Sequence, residues 1–216
     1  MATSPPIPRV LSTNVAEMRL IVLGGQPTKT GIYKHPVEGP QLVHDHQLGD
    51  DRQGDYSVHG GEHKAVYAYS RQDYEWWESE LGRELEPGTF GENLTVVGID
   101  ASEALVGERW RIGTTLLEVS EPRVPCSKLA YRMEDPKFVK RFARALRPGA
   151  YLRIIEEGEL ETGQEIEVVE RPGHDVSMRM ISRAFFGERE LIDRILTAER
   201  LSGQWRADLT RRRGGS

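Results

Sequence analysis

The chain has 216 residues, which is long for one ordinary domain and short for two. Its formal net charge of -5 argues against a protein that coats nucleic acid through a general positive field. No apolar stretch approaches the roughly 20 residues that span a bilayer, so we expect no membrane anchor. The first ten residues, MATSPPIPRV, lack the basic start and apolar run of a secretory signal, which predicts a cytoplasmic protein.

The first 14 residues are rich in proline and serine and predict a flexible leader. From residue 15 to about residue 172, short β-type runs alternate with glycine and proline. Many strands joined by tight turns favour a barrel or a sandwich. Examples of these runs are AVYAYS (65–70), NLTVVGI (93–99), TTLLEVSE (114–121) and QEIEVVE (164–170).

Two helical patterns interrupt the strands, at 71–82 and 135–146. After Pro172 the pattern becomes helical, with the segments VSMRMISRAFF, ERELIDRILTAERL and GQWRADLTRRR. We therefore predict a main β-rich domain over 15–172 and a small three-helix domain over 173–216. Because so small a bundle gains little core by itself, we expect it to pack against the main domain.

Basic residues are concentrated at the end of the chain, in WRADLTRRRGGS. Such a patch could meet an anionic partner, and three short helices could resemble a helix-turn-helix DNA reader. A solvated tail is the plainer interpretation, and the negative net charge disfavours nucleic acid as a partner.

The string HGGEH at 59–63 matches the HxxEH pattern of one class of zinc proteases, which requires both histidines on one face of a helix. Gly60 and Gly61 would each cost about 1 kcal/mol inside a helix, so a turn before the next strand fits better. Glycines at a turn let backbone N–H groups approach a phosphate, with His59 and Lys64 as further polar contacts. A plain turn is the alternative.

A second glycine turn, TFGENL at 89–94, contains Asn93. The amide of asparagine both donates and accepts hydrogen bonds, which suits a flat heterocycle as well as the capping of a turn. Taken alone, this motif leaves both interpretations open.

The segment EPRVPCSKLAYR at 121–132 holds the only cysteine of the chain, Cys126. Prolines on either side of Arg123 stiffen this loop. Arg123 and Lys128 would favour the thiolate form, which attacks electrophiles and binds metals. The residues alone leave four roles open: a buried packing residue, a nucleophile with His59 or His63 as base, a ligand of a soft metal, or no role.

Five short motifs occur in an order that resembles the MOSC-domain family, named for the C-terminal domain of molybdenum cofactor sulfurase. The resemblance covers most of residues 15–172, and the helical remainder resembles the tail of the subfamily linked to 6-N-hydroxylaminopurine resistance. The motifs are KTGIYKHPV (29–37), GDDRQGDYSVHGGEHKAVYAYSRQDYEWW (49–77), FGENLTVVG (90–98), VGERWRIG (106–113) and EPRVPCSKL (121–129).

This resemblance implies a mainly β fold with α-helices, built as a MOSC-type β-barrel flanked by helices. It implies binding of the molybdenum cofactor (molybdopterin), with Cys126 as both the catalytic residue and the protein ligand of molybdenum. The implied reaction is N-dehydroxylation, in which small N-hydroxylated substrates such as base analogues are reduced in a detoxification role. The chain has no GxGxxG fingerprint and no cysteine set for an iron–sulfur cluster, so a separate electron-donating reductase is expected.

The resemblance also suggests residues that hold the cofactor. Cationic side chains suit its phosphate, the glycine turn would offer backbone donors, and Asn93 would contact the pterin. Mammalian amidoxime-reducing relatives have an arginine where this chain places Gly91, so details of their phosphate site do not carry over. An alternative function is a module that binds or carries the cofactor without turnover. The candidate cofactor-binding residues are Arg52, His59, Gly60, Gly61, Lys64, Asn93, Arg123, Ser127 and Lys128.

Overall fold

The computed structural model describes residues 6–51 and 61–214. Within these residues lie thirteen β-strands and six α-helices. The strands are β1 (Arg9–Val15), β2 (Arg19–Leu23), β3 (Gln26–Thr30), β4 (His35–Val37), β5 (Gln41–His44), β6 (Gln47–Leu48), β7 (Val66–Ser70), β8 (Leu94–Val97), β9 (Arg109–Ile112), β10 (Thr115–Glu121), β11 (Ala150–Glu156), β12 (Gly158–Leu160) and β13 (Ile166–Glu170). The helices are α1 (Arg71–Leu81), α2 (Ser127–Arg132), α3 (Phe138–Ala145), α4 (Met178–Phe186), α5 (Ile192–Ile195) and α6 (Gly203–Gly214), and 3-10 turns cover Glu62–Lys64 and Arg189–Leu191.

The two helical patterns inside the β-rich region are confirmed as α1 and α3. Helix α1 ends at Gly82, which has a left-handed conformation with φ of 65° that glycine adopts without steric cost. No helix in the described ranges is both long and apolar enough to cross a membrane.

Eight strands form one large sheet in the order β13-β9-β10-β11-β7-β8-β1-β4. Strands β7 and β8 pair in parallel, and the other neighbours pair antiparallel. Two smaller sheets have the orders β12-β5-β6 and β2-β3. The fold is therefore a mixed α/β fold with a large sheet.

The predicted MOSC-type β-barrel is wrong in one respect, because the strands within 6–51 and 61–214 form no closed barrel. The start of β1 meets the segment before β13 through an isolated bridge between Arg9 and Glu165 and a 2.9 Å hydrogen bond from Val10 N–H to Gln164 O. The backbone N–H of Thr13 also donates to Thr162 Oγ1 at 3.1 Å. Further along β1, from Thr13 onward, the outer edge pairs with β4. The occupied edge prevents a continuous ladder between β1 and β13.

The predicted leader over residues 1–14 is also wrong at its C-terminal end, because Arg9–Val15 forms β1. Val10 and Thr13 are fully buried there. A strand that pairs on both edges and buries side chains is ordered by tertiary contacts despite the prolines before it.

One hydrophobic core joins the large sheet to the C-terminal helices. Trp110 and Leu117 from the sheet share it with Ile181, Ile195 and Leu209 from the helices. The expectation that the helical tail packs against the β-rich part is therefore confirmed. Its helices share the core of the sheet and do not build a separate one.

A second, aromatic core packs α1 and α3 against β7. The rings of Trp77 and Phe142 stack 6.0 Å apart at an interplanar angle of 10°, and Tyr69 lies 4.6 Å from Phe90. Cys126 packs on the edge of this cluster. Burial of so many aromatic side chains makes this part of the fold a rigid base for the loop that carries the cysteine.

Candidate functional site

The single cysteine lies at the end of the loop that connects β10 to α2. Cys126 directly precedes the first turn of α2, and its carbonyl accepts hydrogen bonds from the backbone N–H groups of Leu129 at 3.0 Å and Ala130 at 3.3 Å. Its side chain is partly exposed. The thiol is thus held in a fixed position at the end of a buried strand, while it stays accessible.

A cavity that opens to solvent, with about 560 Å³ of empty space, lies beside Cys126; we call it the inner cavity. Asp51 is the one carboxylate among its described lining residues. The excess of positive charge suits an anionic group such as a phosphate. Four cationic side chains line this cavity: Lys34, Lys64, Arg123 and Lys128.

Arg123 is fixed rigidly in the wall of the inner cavity. Its side chain is only 6% exposed, and its guanidinium donates a hydrogen bond to the carbonyl of Phe90. The guanidinium also lies 5.1 Å from the centre of the Tyr67 ring, within the range of a cation–π contact. A charge that is buried and held in this way is preorganised for an anion.

Lys34 and Asp51 are cavity residues that the sequence analysis missed. The ammonium group of Lys34 pairs with the Asp51 carboxylate, which also accepts the backbone N–H of Ala16 at 2.9 Å. Burial lowers the pKa of Lys34, and the neighbouring Asp51 carboxylate opposes this effect only in part. Lys34 lies in KTGIYKHPV, one of the motifs on which the family resemblance rests, so that motif could have pointed to Lys34 as a site residue.

Two tyrosines that the sequence analysis missed also line the inner cavity. The rings of Tyr67 and Tyr151 lie 4.9 Å apart. Burial raises the pKa of both hydroxyls, although the nearby Arg123 works in the opposite direction. Both tyrosines are therefore neutral at physiological pH. Tyr67 donates to the carbonyl of Pro148 at 2.7 Å, whereas the Tyr151 hydroxyl has no hydrogen-bond partner among the described residues.

Asn93 lines the inner cavity, but its amide is engaged within the protein. Its Nδ2 donates to Asp51 Oδ2 at 3.0 Å and to the carbonyl of Asn14 at 3.3 Å. Its Oδ1 accepts the backbone N–H of Tyr67 at 3.1 Å. Asn93 therefore orients the Asp51 carboxylate and β7, and contact with a pterin stays a prediction.

The remaining candidate cofactor-binding residues do not all lie in the wall of the inner cavity. Lys64 lies in the cavity wall, 3.4 Å from the Glu121 carboxylate. Gly61 directly precedes the 3-10 turn that carries Lys64. Ser127 is exposed and lines neither this cavity nor the second one described below. The candidates Arg52, His59 and Gly60 lie outside the described residues.

The described part of HGGEH, residues 61–63, does not form the α-helix that a zinc protease needs. Gly61 has φ of 89°, which no α-helix accommodates, and Glu62–Lys64 is a single 3-10 turn. His63 lies 3.5 Å from the Arg153 guanidinium rather than in the wall of the inner cavity. Over 6–51 and 61–214 there is no group of three or more His, Cys, Asp or Glu side chains that could hold a metal ion.

Gly91 occupies a position in the cavity wall where a side chain would not fit. Its φ is 74°, and a Cβ atom there would lie 2.9 Å from Ile32 Cγ1 and 3.5 Å from Arg123 Nη1. Glycine is required by both the backbone conformation and the close approach of Ile32.

A second cavity, with about 1120 Å³ of space open to solvent, lies between the cysteine loop and α6; we call it the outer cavity. It shares Lys64, Cys126 and Tyr151 with the inner cavity. The thiol is therefore accessible from two compartments of different composition.

The arginines of the C-terminal tail are engaged within the protein. Arg206 donates to the carbonyls of Leu196 and Ala198, at 2.8 and 2.6 Å, and Arg213 pairs with Asp193 at 2.9 Å. These contacts use the cations to hold the helices together, which weakens the case for a basic patch that binds nucleic acid.

The fold and the site define a class of protein in which a mixed α/β scaffold presents one thiol beside a cationic cavity. The family model of the MOSC domain matches residues 55–167, more than half of the chain. The chain therefore belongs to the MOSC-domain family. The predicted family is thereby confirmed at the level of this domain.

Protein YflK from Bacillus subtilis is 32% identical over 207 residues, and the alignment covers 94% of both chains. A protein named Reductase from Gibberella moniliformis is 34% identical over 176 residues, which make up 79% of this chain but only 31% of that protein. The crystal structure of YiiM from Geobacillus stearothermophilus has a TM-score of 0.80 at 31% identity, covering 96% of this chain and 100% of that one. The similarities to YflK and to the Geobacillus YiiM structure therefore include most of the helical tail.

Proposed function

We propose that this protein is a cytoplasmic oxidoreductase that uses the molybdenum cofactor to reduce N-hydroxylated compounds such as base analogues. The observation that carries the proposal is the position of Cys126 in the wall of a cavity that four cationic side chains line. Membership of the MOSC-domain family and the fungal relative named as a reductase support it.

The residues of the inner cavity fit the molybdenum cofactor by their chemistry. A thiolate is a suitable ligand for a soft transition metal, and Cys126 is the candidate ligand. Arg123 and Lys128 would hold the phosphate of the cofactor, with Lys34 and Lys64 adding to the positive potential. When bound, the cofactor supplies two-electron redox chemistry that accepts the substrate's oxygen.

The reaction needs two electrons and two protons: R–NHOH + 2 e⁻ + 2 H⁺ gives R–NH₂ + H₂O, with cleavage of the N–O bond. A separate reductase supplies the electrons. The protein positions the hydroxylamino group, and the neutral hydroxyl of Tyr151 lies in the wall of both cavities. Since this hydroxyl has no partner among the described residues, it is available to donate a hydrogen bond to the substrate oxygen.

The test uses full-length protein purified from a host that makes the cofactor. We expect molybdenum and pterin in the protein, and formation of adenine when a chemical reductant and 6-N-hydroxylaminopurine are added. The Cys126→Ser variant should keep the circular dichroism spectrum of the parent and form no adenine. Folded protein without molybdenum and pterin, or a fully active Cys126→Ser variant, would contradict the proposal.

The alternative is a module that binds or carries the cofactor without turnover, and the same cavity supports it because cofactor binding needs the same thiol and cations. The assay separates the two functions. Protein that contains cofactor but forms no adenine would favour the carrier.

A further inference from the structure

The outer cavity lies between the C-terminal helices and the loop that carries the cysteine. One wall is the loop that leads to Cys126, with Pro122, Val124 and Pro125, and the opposite wall comes from α4 and α6. Because Cys126 also lines the inner cavity, a molecule in the outer cavity would reach the same thiol without displacing a ligand from the inner one.

The wall of the outer cavity combines aromatic and apolar side chains with charged ones, and the Arg212 guanidinium lies 4.1 Å from the centre of the Phe185 ring. Phe185 and Trp205 pack edge to face with ring centres 5.3 Å apart, and Tyr151 closes the cavity near the thiol. Prolines and the half-exposed Val124 complete the opposite side. Aromatic surface of this kind binds planar rings, because stacked and edge-to-face contacts add to the burial of apolar area.

Two polar groups in this wall have no partner in the described part of the chain. The indole N–H of Trp205 has no acceptor there, although the residue is only 8% exposed. The side-chain amide of Gln204 is exposed and makes no hydrogen bond there. An indole N–H is a donor, and an amide both donates and accepts, so together they match the edge of a nitrogen heterocycle.

Each cation of the outer cavity lies beside a carboxylate, whereas Arg123 and Lys128 of the inner cavity have no carboxylate partner among the described residues. Arg212 and Arg211 both bond to Asp208, at 2.6 and 3.1 Å, and Lys64 lies 3.4 Å from Glu121. Pairing with carboxylates reduces the attraction for a further anion. The outer cavity therefore favours an uncharged ring over a phosphate.

We propose that the outer cavity is the substrate pocket, and that Gln204 and Trp205 of α6 select a planar nitrogen heterocycle that carries the N-hydroxyl group. This inference rests on the proposed function, since it places the substrate of that reaction. It gives the helical tail a role in substrate selection. Small hydroxylamines without a ring lack the contacts that these two residues offer.

The test measures binding of adenine, an unreactive product, to cofactor-loaded full-length protein by isothermal titration calorimetry. Gln204→Ala removes the exposed amide, and Trp205→Phe removes the indole N–H but keeps an aromatic side chain in the core. Each variant is expected to bind adenine about tenfold more weakly, as loss of one hydrogen bond to a bound ligand predicts. Gln72→Ala, which removes an exposed amide from α1, is the matched control and should bind like the parent.

A second readout compares two substrates in each protein. The ratio of kcat/KM for 6-N-hydroxylaminopurine to kcat/KM for N-methylhydroxylamine should fall about tenfold in both outer-cavity variants, mainly through KM for the purine. A general loss of stability or of cofactor would lower both values and leave their ratio unchanged.

The possible outcomes separate this inference from the proposed function. If the parent does not bind adenine, or if both variants bind it like the parent and keep the ratio, the inference is overturned while turnover can still be observed. If adenine binding depends on Gln204 and Trp205 but no protein reduces the hydroxylamine, the binding site stands and the proposed function fails.

Discussion

Lys34 and Asp51 form an ion pair in the wall of the inner cavity, with side chains only 7% and 1% exposed. Asn93 and the backbone of Ala16 complete the hydrogen bonds of the carboxylate. A pair this deeply buried is costly to desolvate, so it is tolerated only because each charge has close partners.

The Asp51→Asn variant should therefore lose about 3–5 kcal/mol of the free energy of unfolding, because it leaves the Lys34 ammonium buried without a counter-charge. Urea denaturation followed by circular dichroism measures this loss. Asp50→Asn makes the same change at the exposed neighbouring residue and should stay within about 0.5 kcal/mol of the parent. Equal effects of the two substitutions would contradict the importance of the buried pair.

Gly91 supplies a prediction about the shape of the inner cavity. Gly91→Ala places a side chain in a left-handed conformation and 2.9 Å from Ile32 Cγ1. Gly163→Ala is the matched control, since Gly163 has φ of 93° but a Cβ atom added there would meet no heavy atom within 4 Å. The control should cost about 1–2 kcal/mol for the backbone conformation alone. Thermal or urea unfolding should show a larger loss of unfolding free energy for Gly91→Ala than for Gly163→Ala. Equal losses would mean that Ile32 moves aside at no cost in stability.

Lys128 supplies a prediction about cofactor retention. It lines the inner cavity and has no ion-pair partner within the described ranges, so its charge is available to an anion. In Lys128→Gln, the molybdenum and pterin that remain bound after dialysis should fall, with a dissociation constant about tenfold higher, as loss of one charge-assisted hydrogen bond predicts. Lys140→Gln removes an exposed lysine of α3 that lines neither cavity and should retain the cofactor like the parent. Equal retention in both variants would remove Lys128 from the site.

The sequence predicted the parts of the site that depend on local chemistry. The proline-bounded loop and its cationic neighbours led to Cys126 and Arg123, and the structure places both in one cavity. Tyr67 and Tyr151 could not be deduced from spacing, because the pairing of β7 with β11 across a long sequence separation brings them together beside the cysteine.

The errors in the predicted fold also have a non-local origin. Proline and serine suggested a leader, but pairing of β1 with β8 and β4 overrides this local preference. Strand patterns likewise cannot show whether a sheet closes, since closure depends on which edges are already paired. Here the pairing of β4 along the end of β1 decides it.

Glu118 connects three parts of the fold through one buried carboxylate. It accepts a hydrogen bond from Arg109 at 2.8 Å and pairs with Arg153 and with Arg200 of the C-terminal segment. Burial alone would raise the pKa of Glu118, but hydrogen bonds from the three arginines outweigh it, and the pKa is lowered below its ordinary value of 4.5.

A carboxyl whose pKa is lower in the folded state stabilises the protein above its unfolded pKa, and this contribution is lost as the pH falls through the folded pKa. Glu118→Gln should therefore cost about 3 kcal/mol near neutral pH, where the charge is present. The difference from the parent should shrink as the pH falls below 4.5. Urea unfolding at a series of pH values measures both effects. Glu167→Gln, at an exposed position of β13, is the control and should follow the parent at every pH; a constant gap between Glu118→Gln and the parent would show that packing rather than charge accounts for the loss.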